Sequence, residues 1–304
     1  MVLDAFHKHL LARYLLSLRV FNAATVQLHC NKQPVKIHLI STGAVAVKTK
    51  FKENKHSGFI ALLSFLLDKN FTNWLPIYVM IVEHPEGIFL IDAGEIAAVN
   101  NKDYFRSSGF IVNWFDKSQF KFLVTRDDEI DVQLRKFNIS QEKIKAVILT
   151  HLHFDHTDGI KHFPDTKIIV NKAEWKKPFG DLPNLYPSWF KPELLELNEQ
   201  YDAFDKAKFL TNAKDVILVE TPGHTYHHCS VIIKTDECNI FFAADICYSQ
   251  QQLLENRFPG NNASNKLAAE TYNKVKTFAK NNTVVFIPSH DAAAIERLKN
   301  FVTL

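Results

Sequence analysis

Residues 150–159, Thr-His-Leu-His-Phe-Asp-His-Thr-Asp-Gly, set His151, His153, Asp155 and His156 within six positions. In an extended loop, side chains two apart project to the same side, so His151 and His153 can address one point. Asp155 and His156 follow where the chain must turn and can address a neighbouring point. Imidazole and carboxylate together suit zinc and related divalent ions. Three further groups stand at comparable places. His224 ends DVILVETPGH, Asp245 ends NIFFAAD and His290 ends TVVFIPSH. Each closes an apolar run that reads as a strand, so all three can project from one rim of a sheet, where distant parts of a chain build a site. Alone, His224 or His290 reads as a structural histidine, and Asp245 as a helix cap or a lysine partner. Taken together, the set is what a metal centre requires.

The elements that must position these groups are legible. KAVILT (145–150) is a short buried strand that ends at the histidines. IYVMIVE and IFLIDA form two strands joined by the turn His84-Pro85-Glu86-Gly87. TKIIV, DVILVE, SVIIKT, NIFFAAD and TVVFIPSH supply further strands, with helices expected over 128–137 and 264–281. Hairpins dominate the first half and strand–helix alternation the second, which predicts an α/β sandwich with helices outside two mixed sheets. Leu3, Phe6, Leu10, Tyr14, Leu18 and Phe21 recur at helical spacing, predicting an amphipathic helix from residue 3 to about 28. Residues 1–33 are therefore set apart as a helical extension of a domain spanning 34–304. Packing on that domain, a homodimer contact or a lid over the site are its expected roles. A membrane-surface role ranks behind them, because the polar face carries few positive charges.

The 304 residues suffice for a large core without disulfides. Net charge is +3, and the 36 basic residues are scattered, which argues against a nucleic-acid surface. Cys30, Cys229, Cys238 and Cys247 form no C-x-x-C pair and read as free thiols of a reducing compartment, Cys247 lying close to Asp245. No stretch is long and apolar enough for a membrane span. Asp4 before the N-terminal apolar run, with Arg13 and Arg19 interrupting or bounding it, speaks against a signal peptide. A cytoplasmic location is expected.

THLHFDH resembles the H-x-H-x-D-H signature of the metallo-β-lactamase superfamily, and IFLIDAG (88–94) resembles that family's first motif. The resemblance runs from about Val35 to His290. It implies the superfamily's αβ/βα sandwich and two divalent metal ions, zinc by default. His151, His153 and His224 would hold one ion, Asp155, His156 and His290 the other, and Asp245 would bridge them. Asp92 would orient ligands; Thr225 and Asp291, beside ligands, are further candidates for that role or for plain turn roles.

Within the superfamily, histidine at 153 disfavours the redox branch, which uses an acidic ligand there. Asp245 disfavours the true β-lactamases, which carry cysteine at the bridging position or lack it. Tyr248, in ADICY, is spaced as in the N-acyl homoserine lactone lactonases, where the matching tyrosine hydrogen-bonds the lactone; an ordinary buried aromatic is the other reading. The resemblance thus implies a hydrolase that opens N-acyl homoserine lactones by a hydroxide held between two metals about 3.5–4 Å apart. Tyr248 would stabilise the oxyanion, and Asp155 or Tyr248 would deliver a proton to the leaving alkoxide. A glyoxalase II-type thioesterase shares the seven ligands, but its basic cluster after the bridging aspartate is missing, Arg257 standing alone in SQQQLLENRF. Another lactonase or esterase of the fold is a further alternative, and a metal-binding module without turnover is the non-enzyme one. Tyr104, Phe105, Phe110, Trp114, Phe115, Phe120 and Phe122 are candidates, with the N-terminal helix, for the walls of an acyl pocket.

Overall fold

The computed structural model describes residues 23–56 and 58–304. Its first sheet contains β1 (Ala24–Cys30), β2 (Gln33–Val47), β3 (Leu75–His84), β4 (Gly87–Ile91), β5 (Phe120–Leu123), β6 (Ile144–Leu149), β7 (Ile168–Asn171) and β8 (Glu193–Leu195). Their order is β1-β2-β3-β4-β6-β7-β8, with β5 paired to β2. The second contains β9 (Glu199–Tyr201), β10 (Phe204–Phe209), β11 (Val216–Glu220), β12 (Cys229–Lys234), β13 (Asn239–Ala244) and β14 (Val284–Pro288). They lie in the order β14-β13-β12-β11-β10-β9.

The hydrophobic pattern explains the layering. β3 is buried along almost its whole length, as a central strand covered on both faces must be. Its inward Met80, with Leu39, Ile91 and Ile148, meets Leu218, Val231, Phe242 and Ile287 of the second sheet in the central core. The opposite face of the first sheet, with Val79, Ile81 and Leu90, packs under Ile130 and Leu134 of the helix Ile130–Lys136. The outer face of the second sheet, with Ile217, Ile232, Phe241 and Phe286, is covered by Tyr272, Val275 and Phe278 of the helix Asn265–Asn281. The result is the expected sandwich of two mixed sheets between helices.

The N-terminal expectation changes. Residues 3–22 of the expected helix lie outside the described residues. From Ala24 the chain is strand: Ala24, Val26, Leu28 and Cys30 point inward and Thr25, Gln27 and His29 outward, antiparallel to β2 from Ala24↔Leu39 to Cys30↔Gln33. A period of two is a strand's period. The segment 24–33 therefore belongs to the first sheet and not to a helical extension. None of the helices among the described residues is long and apolar enough to cross a membrane.

β4 and β6 run parallel, as do β13 and β14. Parallel pairs bring their C-terminal ends to one rim, and Asp92, His151, Asp245 and His290 follow directly on these four strands. At two of these ends the backbone turns sharply, with Asp92 at φ 59° and Ala244 at φ 49°. Left-handed conformations at non-glycine residues cost roughly 1–3 kcal/mol each and persist only where the surroundings impose them.

Candidate metal centre

At that rim the structure brings all seven expected ligands together. His151 Nε2 and His224 Nε2 lie 3.0 and 2.9 Å from His153 Nδ1. These three nitrogens and an oxygen of Asp245 form one group, all mutually within 4.8 Å; Asp155, His156 and His290 form a second such group. His290 Nε2 is 3.4 Å from Asp155 Oδ2. Asp245 faces both groups: Oδ2 is 3.4 Å from His224 Nε2 and 3.4 Å from His290 Nε2, and Oδ1 is 3.3 Å from His156 Nε2.

The far side of each ring decides which nitrogen is bare. His156 Nδ1–H donates to Asp92 Oδ2 (2.7 Å) and His290 Nδ1–H to the Pro76 carbonyl (2.7 Å). His153 Nε2–H donates to the Phe179 carbonyl (2.9 Å), and His151 Nδ1–H to Thr150 Oγ1 (3.0 Å). Asp92 is itself fixed by the Thr150 N–H at 2.8 Å and the Thr150 hydroxyl at 2.9 Å. Gly180 (φ 75°) lets the loop after Phe179 lie against His153, since a Cβ there would come within 2.8 Å of Nε2. Partners of this kind fix tautomer and ring orientation in metal sites.

The bare nitrogens of His151 and His153 therefore face each other across 3.0 Å with no proton between them, and His224, whose Nδ1 has no partner, closes the group. His156 Nε2 and Asp245 Oδ1 are buried with no hydrogen-bond partner. Such lone pairs repel unless a cation lies among them, so the donor set fits divalent metal. Electrostatics separate the two groups: in the second, burial would lower His156, but Asp245 and Asp92 raise it well above its ordinary value. Burial and neighbouring imidazoles push His151 well below the ordinary histidine range, and burial lowers His153 and His224 too. At His290 burial acts the same way, but Asp245 and Asp155 prevail and raise it to about 10. Burial would raise Asp155 and Asp245, yet the facing imidazoles hold both low.

Sequence reasoning missed His228. Its Nε2 accepts the Asp245 N–H at 3.2 Å and its Nδ1–H donates to Thr221 Oγ1 at 2.9 Å. Burial drives its pKa to about 3, so it stays neutral and fixes the backbone beneath Asp245. The only signal for it was a histidine four residues after His224. Thr225 instead donates to Glu174 (2.8 Å), and Asp291 accepts from Arg297 (2.6 Å), so both secure the surrounding loops.

Tyr248 is buried and stacks on His290, ring centroids 5.5 Å apart at 28°. It lines a cavity of about 450 Å³ that opens on His153, Asp155, Asp245 and His290. Phe115, Phe120 and Phe122 line the same cavity, as expected. Trp114 and Phe110 do not: they are 54% and 84% exposed on the outer side of their helix. Phe105 packs on Phe154 with centroids 5.2 Å apart, and Tyr104 donates to Asp158. Val45, Val47, Phe51 and Phe65, which the sequence did not single out, complete the wall.

A two-sheet α/β sandwich whose strand ends gather five histidines and two aspartates into paired ligand groups defines a metal-centred hydrolase class. The chain belongs to the metallo-beta-lactamase superfamily, whose model matches residues 72–290. It is 27% identical over 223 residues to an N-acyl homoserine lactonase of Bacillus sp., covering 71% of this chain and 82% of that one. To the N-acyl homoserine lactonase AttM of Agrobacterium fabrum it is 23% identical, covering 74% and 85%. Among solved structures, an N-acyl homoserine lactone hydrolase with N-hexanoyl-L-homoserine at its catalytic metal centre shares the fold. The TM-score is 0.68 at 20% identity, over 87% of this chain and 95% of that one.

Proposed function

We propose that this protein is a metal-dependent hydrolase that opens the lactone ring of N-acyl homoserine lactones. The observation that carries the reading is Tyr248, stacked on His290 in a cavity with metal-ligand donors on one side and phenylalanines on the other. The lactonases among its relatives support the same reading.

His151, His153 and His224 would hold one divalent ion and Asp155, His156 and His290 a second, with Asp245 placed to serve both; zinc is the metal we assign. Bound there, the pair would supply hydroxide near neutral pH and polarise the lactone carbonyl. The chain does the rest. Burial, with Asp245 and Asp155 nearby, raises the Tyr248 hydroxyl well above its ordinary value, so it keeps its proton and donates to the carbonyl oxygen as negative charge develops there. Asp155, at the cavity wall and, despite burial, held ionised by the facing imidazoles, takes the proton of the newly added hydroxyl and delivers it to the ring oxygen as the C–O bond breaks, releasing the open-chain N-acyl homoserine as its carboxylate. The phenylalanine wall receives the acyl chain and excludes water from it.

The thioesterase reading loses further ground at Arg257. Its guanidinium is paired with Glu53 (2.5 Å) and Glu255 (2.6 Å), so it is committed within the chain rather than offered to an anionic thiol carrier. The four cysteines are free and buried, in keeping with the cytoplasmic location we assign.

The test is proton release when zinc-loaded protein meets hexanoyl homoserine lactone, beside a chelated control. Rapid release that needs metal is expected. No release from fully metallated protein would overturn the lactonase reading and turn attention to thioesters.

A further inference from the structure

The helix Phe110–Gln119 is built inside out. Its apolar Phe110, Ile111 and Trp114 face solvent, while Asp116 and Gln119 face the protein. Binary patterning of a helix that merely packs would be the reverse, and violations of local rules gather at functional sites.

Asp116 is 8% exposed and lines the same cavity as His153, His290 and Tyr248. Its Oδ2 has no hydrogen-bond partner, and it makes no ion pair among the described residues. Burial pushes its carboxyl up to about 7. Asn262, 6% exposed, lines the same cavity and also leaves its side-chain oxygen unpartnered, its amide being used by Asn265 Oδ1 at 3.1 Å. Asn261 leaves a third such oxygen on the cavity wall. Three residues of a wall that phenylalanines share thus each carry a buried oxygen to which none of the described residues offers a donor.

A buried polar group without a partner costs free energy. A plain alkyl chain offers Asp116 no partner. A ketone on the chain, which only accepts, leaves the two amide oxygens unmet and can bond Asp116 only in its protonated form. A hydroxyl supplies the missing donor.

We propose that Asp116 is a specificity residue of the acyl site and that it binds a hydroxyl on the substrate's acyl chain, making hydroxyacyl homoserine lactones the preferred substrates; this rests on the lactonase reading. Sites built to bond a hydroxyl reject the analogue that lacks it far more strongly than an apolar pocket rejects an extra group.

The experiment measures kcat/KM of the zinc-loaded full chain on four lactones of one length: N-octanoyl, N-(3-oxooctanoyl), N-(3-hydroxyoctanoyl) and N-(8-hydroxyoctanoyl) homoserine lactone. The two hydroxyl positions sample the near and far ends of the acyl chain. At least one hydroxylated substrate should exceed the plain and oxo compounds by about tenfold or more. In Asp116→Leu that ratio should fall to about one. Equal rates on all four by the unaltered protein would overturn the proposal whether or not the variant folds, and so would a preference that survives Asp116→Leu. Turnover without preference would leave the lactonase reading intact; absence of turnover on every lactone would remove both.

Discussion

Opposite ends of the sandwich each carry a buried cluster of metal-ligating side chains. At one rim stand the seven groups around Asp245; at the other, where β1 and β3 end and β11 begins, stand Cys30, His84 and Asp215, also mutually within 4.8 Å. Residue types and spacing are comparable, but the hydrogen bonding is not. His84 Nδ1 accepts the Glu86 N–H (3.1 Å) and its Nε2–H reaches Asp215 Oδ1 (3.1 Å). Asp215 also accepts from Thr211 (2.6 Å) and Asn31 (3.2 Å). Burial pushes the Cys30 thiol up to about 12, and its proton goes to the Lys234 carbonyl at 3.2 Å. Every ligand atom there is already used, whereas at the Asp245 rim bare nitrogens face each other across 3.0 Å. A site is marked by the lone pairs a fold leaves unused, more than by the residues it gathers.

Substitutions can sharpen that contrast or break it. The largest effect is expected at Asp245→Ala, which removes the group shared by both ligand sets. Metal content should fall and lactone turnover drop by about a thousandfold or more, as read by metal analysis beside the proton-release assay. Full metal content in that variant would break the assignment of Asp245. Tyr248→Phe should cost about a hundredfold in kcat with metal content unchanged, the loss expected for one oxyanion donor. Unchanged turnover would reduce Tyr248 to packing on His290. The smallest functional effect belongs to the other end. His84→Gln should leave metal content and kcat as they are while lowering stability by about 1–3 kcal/mol, because buried partners lose their bonds. Burial would raise Asp215, but His84 and Thr211 hold it below the ordinary carboxylate value. Its contribution is therefore full above about pH 4 and is lost as pH falls through the lowered value. Without His84 that value rises, so acid unfolding, followed by circular dichroism, should begin at higher pH. Lost metal in His84→Gln would mean that the two ends are not independent.

Much of the active rim was legible because it is local. THLHFDH sets four candidate ligands side by side along the chain, and His224, Asp245 and His290 each close an apolar strand that could be read by itself. β1 was misread because the helical pattern of the preceding residues runs into Ala24–Cys30; the alternation of Thr25-Val26-Gln27-Leu28 gains its meaning from pairing with Val35–Leu39. The cavity wall was legible only in part. Phe115 and Trp114 are neighbours in sequence, yet the rotation of one helix sends the first to the cavity and the second to solvent.

By itself, then, the sequence determined the candidate ligand types, their order and the strands that carry them, because these follow from residue chemistry and from periods of two and 3.6. Only the tertiary structure decided which polar atoms remain unpaired. His228 and His84 are joined across 17 and 131 positions to Asp245 and Asp215, and Asp116 shares its cavity with Asn261, 145 positions away. Whether a buried lone pair is used or left open depends on neighbours that only folding supplies.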